Sequence, residues 1–463
     1  MSENKISEKY TYIILIFTLI SIISCVILKI FLFYGFLVSI IIASCLFIKS
    51  GFSIIELFNM IKQGLCECKS LFILIALIGA MISVWVSSGV VPTMLYYGLK
   101  YMKGVNFLFA AFILTSIVSI FMGTAFGVIS SIGIALLGLA KIFGIPSFIL
   151  LGAVVSGAFM ADKCSPISSL FNLTLESIRI NYKEALISIL KTLLPTYFIS
   201  GLLYYFIGKK YSVSLANSHV DNFISAINGN FVISPLLLLL PISIIIMSFL
   251  GMKMIKSVSI ALIAGIIVSI GLQKANFNDV IAAMLNGYRS TTSSVELNSV
   301  LVSGGIVSMI SVLLIIAGAV SLSSIFQGTG LIMPIIKRIT IKIKSNEELV
   351  LKTGFISSVL TAVSDQSVGI IVPGKFLADK YTELGIKNSI LARTITDTGT
   401  IIAPLIPWNV NSLFIFVTTG IPTVAYAPYA VLCYISPIIT FIFAYLNKFQ
   451  SGKHVEKIDV ENV

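Results

Sequence analysis

The stretch FILLGAVVSGAFMADKCSPISSLFNLTL, residues 148–175, places an aspartate and a lysine inside apolar sequence. Thirteen uncharged residues precede Ala161, and mostly apolar sequence resumes at Leu170. A helix that enters this stretch cannot continue regularly through Pro166, because proline lacks an amide hydrogen and disfavours a helical residue before it. The stretch therefore predicts a helix that breaks beside Asp162 and Lys163.

The composition of the whole chain is that of a membrane protein. Of 463 residues, 57% are hydrophobic and 11% are charged, and the mean hydropathy is +1.05; a soluble domain carries roughly 25% charged residues. A spanning helix needs roughly 20 residues. Apolar runs near this length recur at 11–28, 31–48, 71–86, 107–122, 231–250, 257–272 and 422–446. We expect an all-α, polytopic membrane protein with about 11–13 hydrophobic segments, some of them broken.

The charged residues and the cysteines exclude several classes of function. The net charge of +12 comes mainly from lysines scattered between hydrophobic segments, which is typical of the cytoplasmic loops of membrane proteins and not of a nucleic-acid-binding surface. The six cysteines have no metal or redox spacing, and the two histidines, His219 and His454, lie far apart in the sequence. No phosphate-binding glycine loop or nucleophile motif is recognisable. We expect neither an enzyme nor a resident cofactor.

Four pairs of short segments resemble each other in the same order, at offsets of 237 to 241 residues. They are SSGVVP (87–92) with QGTGLIMP (327–334), MGTAFG (122–127) with VLTAVS (359–364), GIPSFIL (144–150) with GIKNSIL (385–391), and SPISSLFN (165–172) with APLIPWN (403–409). Shared composition bias is the alternative explanation. The pattern favours two repeats, as in many secondary transporters.

The lysine distribution predicts that the two repeats have opposite orientation. The densest basic run, KRITIKIK at 337–344, is expected in the cytoplasm, whereas its counterpart LKYMKG at 99–104 has only two lysines and is expected outside. Both termini are then cytoplasmic.

The chain divides into five predicted regions. They are an N-terminal transmembrane hairpin (1–50), a first repeat (51–210), a connecting loop with linking transmembrane helices (211–275), a second, inverted repeat (276–420), and a last transmembrane helix with its tail (421–463). The boundary between the two halves, which we call the seam, is predicted to be the polar loop 211–230.

Helix rise places two aspartates inside the bilayer. Fifteen residues from Ser147 to Ala161 span roughly 22 Å, less than the roughly 30 Å of the hydrocarbon core, so Asp162 does not reach the far surface. Asp397 follows Lys387 by ten residues, roughly 15 Å. We expect broken helices near 123–131, 162–169, 361–374 and 397–409 to meet at mid-membrane. The alternative places Asp162 and Lys163 at a helix end on the cytoplasmic face.

A buried carboxylate surrounded by neutral oxygen atoms can bind either Na⁺ or H⁺, so the two ions compete for it. Burial disfavours the ionised carboxylate, a nearby cation favours it, and hard cations prefer oxygen ligands. Asp162 and Asp397 are the predicted coupling-ion ligands, with Asp365 third. Arg393, one turn before Asp397, can pair with it. The alternative interpretation is that this pair has only a structural role and binds no ion or substrate. The other candidates for ion or substrate binding are Lys163 and the neutral residues Thr124, Ser165, Ser168, Ser169, Asn172, Thr398, Thr400 and Asn409.

Several of these motifs resemble the NhaC-type sodium/proton antiporter family of bacteria. They are GTAFGVISSIGIALLGLAKIFGIP, SGAFMADKCSPIS, RTITDTGTIIAPLIPWN, IIVPGKF and WVSSGVVPTMLYYGL, and the similarity covers roughly residues 50–425. The resemblance implies an inverted-repeat fold and secondary transport, with Na⁺ and H⁺ as the transported ions. The family typically has acids at the positions of Ser169 and Thr396. Their absence puts Na⁺ coordination in doubt, and the pair Leu170–Phe171 suggests an organic-substrate pocket.

The sequence thus predicts a secondary transporter of a bacterial cytoplasmic membrane, exchanging Na⁺ for H⁺ by alternating access. The alternative is a Na⁺- or H⁺-coupled carrier of a small organic acid or amino acid, in which Lys163 or Arg393 would hold the substrate's carboxylate. A channel or a membrane enzyme is a third hypothesis, and no motif in the sequence supports it. The expected partners are the lipid bilayer and the transported solutes, and the sequence leaves a homodimer open.

Overall fold

The computed structural model describes residues 8–28, 30–101, 105–211, 217–289, 292, 294–331 and 345–446, and within these residues it contains helices and no strands. In this part of the chain, eight helices are long and apolar enough to cross a membrane, and eleven spans result if each of three bent helix pairs counts as one. This confirms the all-α, polytopic fold with broken helices.

The described residues of the first half form twelve helices. They are α1 Glu8–Ile27, α2 Leu32–Lys49, α3 Ile54–Glu67, α4 Lys69–Ser87, α5 Val90–Tyr101, α6 Phe107–Met122, α7 Ala125–Val128, α8 Ile134–Ile142, α9 Ser147–Ala158, α10 Met160–Cys164, α11 Ser169–Ile178 and α12 Tyr182–Lys209. A π-helical turn, Ile129–Gly133, joins α7 to α8.

The second half of the described chain continues with twelve more helices. They are α13 Asn217–Asn230, α14 Leu239–Phe249, α15 Met254–Gly271, α16 Phe277–Asn286, α17 Val295–Val300, α18 Gly305–Gly328, α19 Asn346–Val363, α20 Gln366–Glu383, α21 Asn388–Ile395, α22 Val410–Thr419, α23 Thr423–Tyr426 and α24 Val431–Tyr445. A π-helical turn, Thr396–Thr400, extends α21. Short 3₁₀ turns precede α14, α22 and α24 at Pro235–Leu238, Ala403–Leu405 and Ala427–Tyr429.

The predicted helix breaks are present, and two are shorter than expected. α6 ends at Gly123, whose φ of 64° is the left-handed conformation that favours glycine, and Thr124 starts the next helix. In the second half the break is confined to Ser364 and Asp365, and the chain from Gln366 onward is helical through Pro373. Pro373 leaves the Gly369 carbonyl oxygen without its partner in the helix, and Ser357 Oγ of α19 donates a hydrogen bond of 2.6 Å to that oxygen.

The predicted seam, 211–230, is helical from Asn217 onward. Its polar composition suggested a loop, yet Phe223 and Ile227 recur at helical spacing, and both are buried. The basic run 337–344, which carried the predicted orientation, lies outside the described residues, as does the C-terminal tail from 447. The opposite orientation of the two halves therefore stays a prediction.

Small residues bring the helices of each half into close contact. A Cβ added to Gly157 of α9 would collide with Thr115 Oγ1 of α6 and lie 2.8 Å from the Phe112 carbonyl oxygen. In the second half, a Cβ on Gly399 would collide with Ser357 Oγ of α19. Contact of this kind is how membrane helices pack tightly without a hydrophobic driving force. It holds α9 against α6, and the π turn after α21 against α19.

Candidate functional site

The broken ends of the two halves meet at a buried ion pair. Lys163, in the last turn of α10, places its Nζ 2.5 Å from Oδ1 of Asp397, in the π turn after α21. Both side chains are fully buried. Either charge alone would cost roughly several kcal/mol of desolvation free energy at this position. In the pair, each charge compensates the other. The pair therefore ties residues 234 positions apart in the sequence.

Three hydroxyl groups complete the surroundings of the Asp397 carboxylate. Thr192 of α12 and Thr440 of α24 each donate a hydrogen bond of 2.6 Å to Oδ2, and Ser436 donates one of 3.3 Å to Oδ1. Lys163 Nζ also donates to Ser436 Oγ at 2.6 Å. A carboxylate has about four lone-pair sites, so these donors saturate Asp397.

Asp162, the neighbour of Lys163, has a different environment. Its side chain is 6% exposed, and Oδ1 accepts a hydrogen bond of 3.1 Å from Ser168 Oγ. Among the residues that the structure describes, no lysine or arginine pairs with it. An ionised carboxylate in this position is under-coordinated, because one hydroxyl donor leaves most of its lone pairs without a partner.

Part of the loop after Asp162 is exposed. Pro166, Ile167 and Ser169 are exposed, whereas Ser165 and Ser168 are buried. Ser168 also caps α11 by accepting from the Phe171 amide, which holds the hydroxyl next to the carboxylate. A buried carboxylate thus lies directly behind an open helix break.

The loop is fixed to the break of α6. Ser165 Oγ donates a hydrogen bond of 2.6 Å to the Ile120 carbonyl oxygen in the last turn of α6. A Cβ on Gly123 would come within 2.9 Å of Ile167 Cβ, so the two breaks are in contact. Movement of one break therefore requires movement of the other.

In the second half, amide and indole side chains form a comparable set of hydrogen bonds between the helix breaks. Asn409 caps α22 and donates to the Thr361 carbonyl oxygen at 3.2 Å, and Trp408 Nε1 donates to the Ala362 carbonyl oxygen at 2.6 Å. Gln366 donates to the Thr400 carbonyl oxygen at 2.6 Å and accepts from Asn411 at 3.0 Å. These side chains satisfy backbone groups that the breaks expose. No carboxylate takes part in these four hydrogen bonds.

The remaining predicted site residues of the second half differ in burial and in their hydrogen-bond partners. Asp365 is half-buried and caps α20 through the Ser367 amide, and the Thr398 hydroxyl donates to the Thr394 carbonyl oxygen of its own helix. Arg393 is buried one turn before Asp397. Thr400 is fully buried, and its hydroxyl has no partner among the described residues. Their binding roles stay predictions.

Near the first break, Thr124 is half-buried, Ser169 is exposed, and Asn172 donates to the Pro166 carbonyl oxygen at 3.1 Å. Phe171 is fully buried and packs edge-to-face on Tyr182 with ring centroids 5.7 Å apart, and Leu170 beside it is half-buried. An organic-substrate pocket at this pair stays a prediction.

Sequence reasoning missed the hydroxyl groups around Asp397. Thr192, Ser436 and Thr440 lie in long apolar helices, where serine and threonine usually bond to a carbonyl oxygen of their own helix. A weak signal was present, since Ser436 and Thr440 are one turn apart and flank Pro437. Within the described residues, no group of three or more His, Cys, Asp or Glu side chains is placed to hold a metal ion.

Comparison with known proteins identifies the family of the chain. The model of the Na⁺/H⁺ antiporter family matches residues 169–448. The chain is 31% identical to the Na⁺/H⁺ antiporter NhaC of Alkalihalophilus pseudofirmus, over 82% of each protein. It is also 27% identical to the malate-2H⁺/Na⁺-lactate antiporter of Bacillus subtilis, over 88% of each protein. The arginine/ornithine antiporter ArcD of Halobacterium salinarum is 27% identical, over 85% of this chain and 82% of that protein. The chain is a multi-pass membrane protein that belongs to the Na⁺/H⁺ antiporter family.

Proposed function

We propose that this chain exchanges Na⁺ for H⁺ across a bacterial cytoplasmic membrane, and that Asp162 binds the two ions in turn. One observation carries the proposal: the Asp162 carboxylate is buried beside an open helix break, with one hydroxyl donor and no cationic partner among the described residues. Such a group is stabilised either by a proton or by a bound cation. Binding of one ion therefore displaces the other, which is the requirement for antiport.

Asp397 has a different role in this proposal. Its charge is already balanced by Lys163 and by three hydroxyl donors. Direct binding of Na⁺ to Asp397 would require Lys163 to leave, with two buried charges to be compensated again. We therefore assign Asp397 to holding Lys163 in place and Asp162 to ion exchange. Ser168 supplies a hydroxyl oxygen beside the exchanged ion, as Na⁺ prefers oxygen ligands.

Alternating access follows from where the site lies. The ion pair joins α10 of the first half to the π turn after α21 of the second half, so both broken helices end at the same place. If the halves have opposite orientation, rocking of one against the other exposes Asp162 to each side in turn. Both termini then face the cytoplasm.

Coupled exchange of an organic ion is the second candidate. It is favoured by the neutral residues at Ser169 and Thr396, where the family typically has acids, and by relatives named for malate, lactate, arginine and ornithine. Ser169 is exposed at the open break, where a larger solute would approach. In this candidate Asp162 would bind the coupling ion only.

Reconstitution distinguishes the two candidates. The purified chain is placed in liposomes with a trapped pH dye and an imposed pH gradient, and Na⁺, Li⁺ or K⁺ is added outside. Na⁺/H⁺ antiport predicts that Na⁺ or Li⁺ alone dissipates the gradient and that Asp162→Asn abolishes the effect. A flat response from folded protein at every pH contradicts the proposal. Dissipation only when malate, lactate, arginine or ornithine is also present supports organic exchange.

A further inference from the structure

One end of the molecule has a basic surface formed by four lysines. Lys100, Lys141 and Lys209 each lie in the last turn of a helix, α5, α8 and α12 respectively, and Lys210 follows directly; all four are exposed. The sequence has no aspartate or glutamate at 69–161 or 185–220. In the described part of the chain, no acid pairs with these four lysines. We call them the lysine collar.

Contacts between the helix ends place the collar on one side of the molecule. Asn106, the cap of α6, donates a hydrogen bond of 2.7 Å to the Tyr205 carbonyl oxygen near the end of α12. Phe107 packs on Phe143, just after α8, with ring centroids 5.0 Å apart. The end of α5 reaches the end of α8, because Gly98 lies directly against Leu139.

Aromatic rings hold two of the collar lysines. Lys100 Nζ lies 5.9 Å from the ring centre of Tyr96 and 5.7 Å from that of Tyr101. Lys209 Nζ lies 4.9 Å from the ring centre of Tyr205 and 5.8 Å from that of Phe206. Cation–π contacts of this kind fix the ammonium groups, and tyrosines with lysines are typical of the level where a membrane meets water.

An apolar ridge leads from the collar along α12. Leu194, Phe198, Leu202 and Phe206 recur every four residues, and all four are exposed. They span thirteen residues of helix, a rise of about 18 Å, which is close to the ~15 Å thickness of one leaflet's hydrocarbon layer. The ridge has the length of an acyl chain and ends at Lys209 and Lys210.

We propose that the lysine collar binds the phosphate of an anionic phospholipid, whose acyl chain lies along the α12 ridge. The charge of the collar, the aromatic rings beside it and the length of the ridge all fit this ligand. A free phosphate would use the lysines and leave the ridge without a role. Lysines in the last turn of a helix also stabilise the helix dipole, so the test must separate lipid binding from helix stability.

Native mass spectrometry of the full chain in detergent measures lipid binding directly. Dioleoylphosphatidylglycerol and dioleoylphosphatidylcholine are titrated into wild type, the collar triple variant Lys100→Gln/Lys209→Gln/Lys210→Gln, and the control Lys62→Gln/Lys69→Gln/Lys183→Gln. The control removes the same charge from exposed lysines elsewhere. At about 1 kcal/mol for each lysine near an anionic surface, the collar variant should bind phosphatidylglycerol about tenfold to a hundredfold more weakly, and the control as wild type.

Three results would overturn the proposal: equal binding of the two lipids to wild type, equal losses in the collar and control variants, or displacement of phosphatidylglycerol by excess inorganic phosphate. A second pair of variants keeps the test independent of charge and folding. Phe198→Ala/Phe206→Ala on the ridge should weaken phosphatidylglycerol binding, whereas Phe355→Ala/Phe376→Ala, at exposed positions on α19 and α20, should leave it unchanged. Circular dichroism confirms that each variant is helical.

Discussion

Lys163 and Asp397 come from different halves of the chain and form a fully buried ion pair, with 2.5 Å between Nζ and Oδ1. The pair joins the ends of two broken helices, and Asp162 precedes Lys163 in the chain. Asp162 and Asp397 have different partners, which supports the different roles proposed for them. The predictions below separate the two.

Removal of Lys163 should destabilise the protein through the charge left on Asp397. We expect Lys163→Met to lower the unfolding free energy by about 3–5 kcal/mol, the usual cost of breaking a buried pair. The double variant Lys163→Met/Asp397→Asn should recover much of this loss, because no uncompensated charge is left. Thermal unfolding in detergent measures both. Equal losses in the single and double variants would contradict a charge-based role for the pair.

The hydroxyl groups on Asp397 should contribute individually. Thr192→Val and Thr440→Val each remove one hydrogen bond to Oδ2 at nearly constant volume, so each should cost about 1.5–3 kcal/mol of stability, the range for bonds to charged groups. Thr196→Val is the matched control, since its hydroxyl is also buried but donates to the Thr192 carbonyl oxygen of its own helix. The same loss at Thr196 would show that the Asp397 contacts are not special.

Ser168 and Ser169 are adjacent serines with opposite expectations. Ser168 donates to Asp162 and caps α11, whereas Ser169 is exposed. Ser168→Ala should weaken apparent Na⁺ affinity about tenfold, the equivalent of about 1.4 kcal/mol, while Ser169→Ala should change it little. The half-maximal Na⁺ concentration for transport in proteoliposomes is the readout. A larger effect at Ser169 would shift the exchange site away from Asp162.

Close packing of α6 on α9 should make Gly157 intolerant of a methyl group. Gly157→Ala forces the new Cβ onto Thr115 Oγ1 and towards the Phe112 backbone, so we expect a loss of about 1–3 kcal/mol from overpacking. Gly271, at the end of α15, has nothing within 4 Å of an added Cβ. Gly271→Ala should therefore be neutral or slightly stabilising in thermal unfolding. Comparable losses at both positions would contradict a packing origin, because helix propensity alone favours alanine at each of them.

Local signals in the sequence were sufficient for the helix breaks. Pro166 forbids regular helix locally, and the Gly123 and Pro404 regions break as their residue types require. The break at 364–365 was predicted too broadly, since Pro373 lies inside a helix in which Ser357 supplies a hydrogen bond to the Gly369 carbonyl oxygen that Pro373 leaves free. Short-range chemistry thus predicts where a helix stops, but tertiary packing decides whether a proline stops it.

Pairing across the fold was beyond the sequence. Spacing along one helix offered Arg393 as a partner of Asp397, whereas Lys163 reaches Asp397 only because the two broken helices end together. The hydroxyls of Thr192 and Thr440 resemble ordinary helix-internal threonines until the helices are packed. Asp162 was found because a charge in apolar sequence is conspicuous, and its lack of a cationic partner emerged only from the structure.

Na⁺ binding measured calorimetrically as a function of pH tests the central claim most directly. If Asp162 binds Na⁺ or H⁺, wild-type affinity for Na⁺ should fall as the pH is lowered, approaching about tenfold per unit where the proton dominates. Asp162→Asn should bind no Na⁺ at any pH, whereas Lys163→Met/Asp397→Asn, which neutralises the pair, should keep the pH-dependent binding. Wild-type affinity and pH dependence in folded Asp162→Asn would contradict the account.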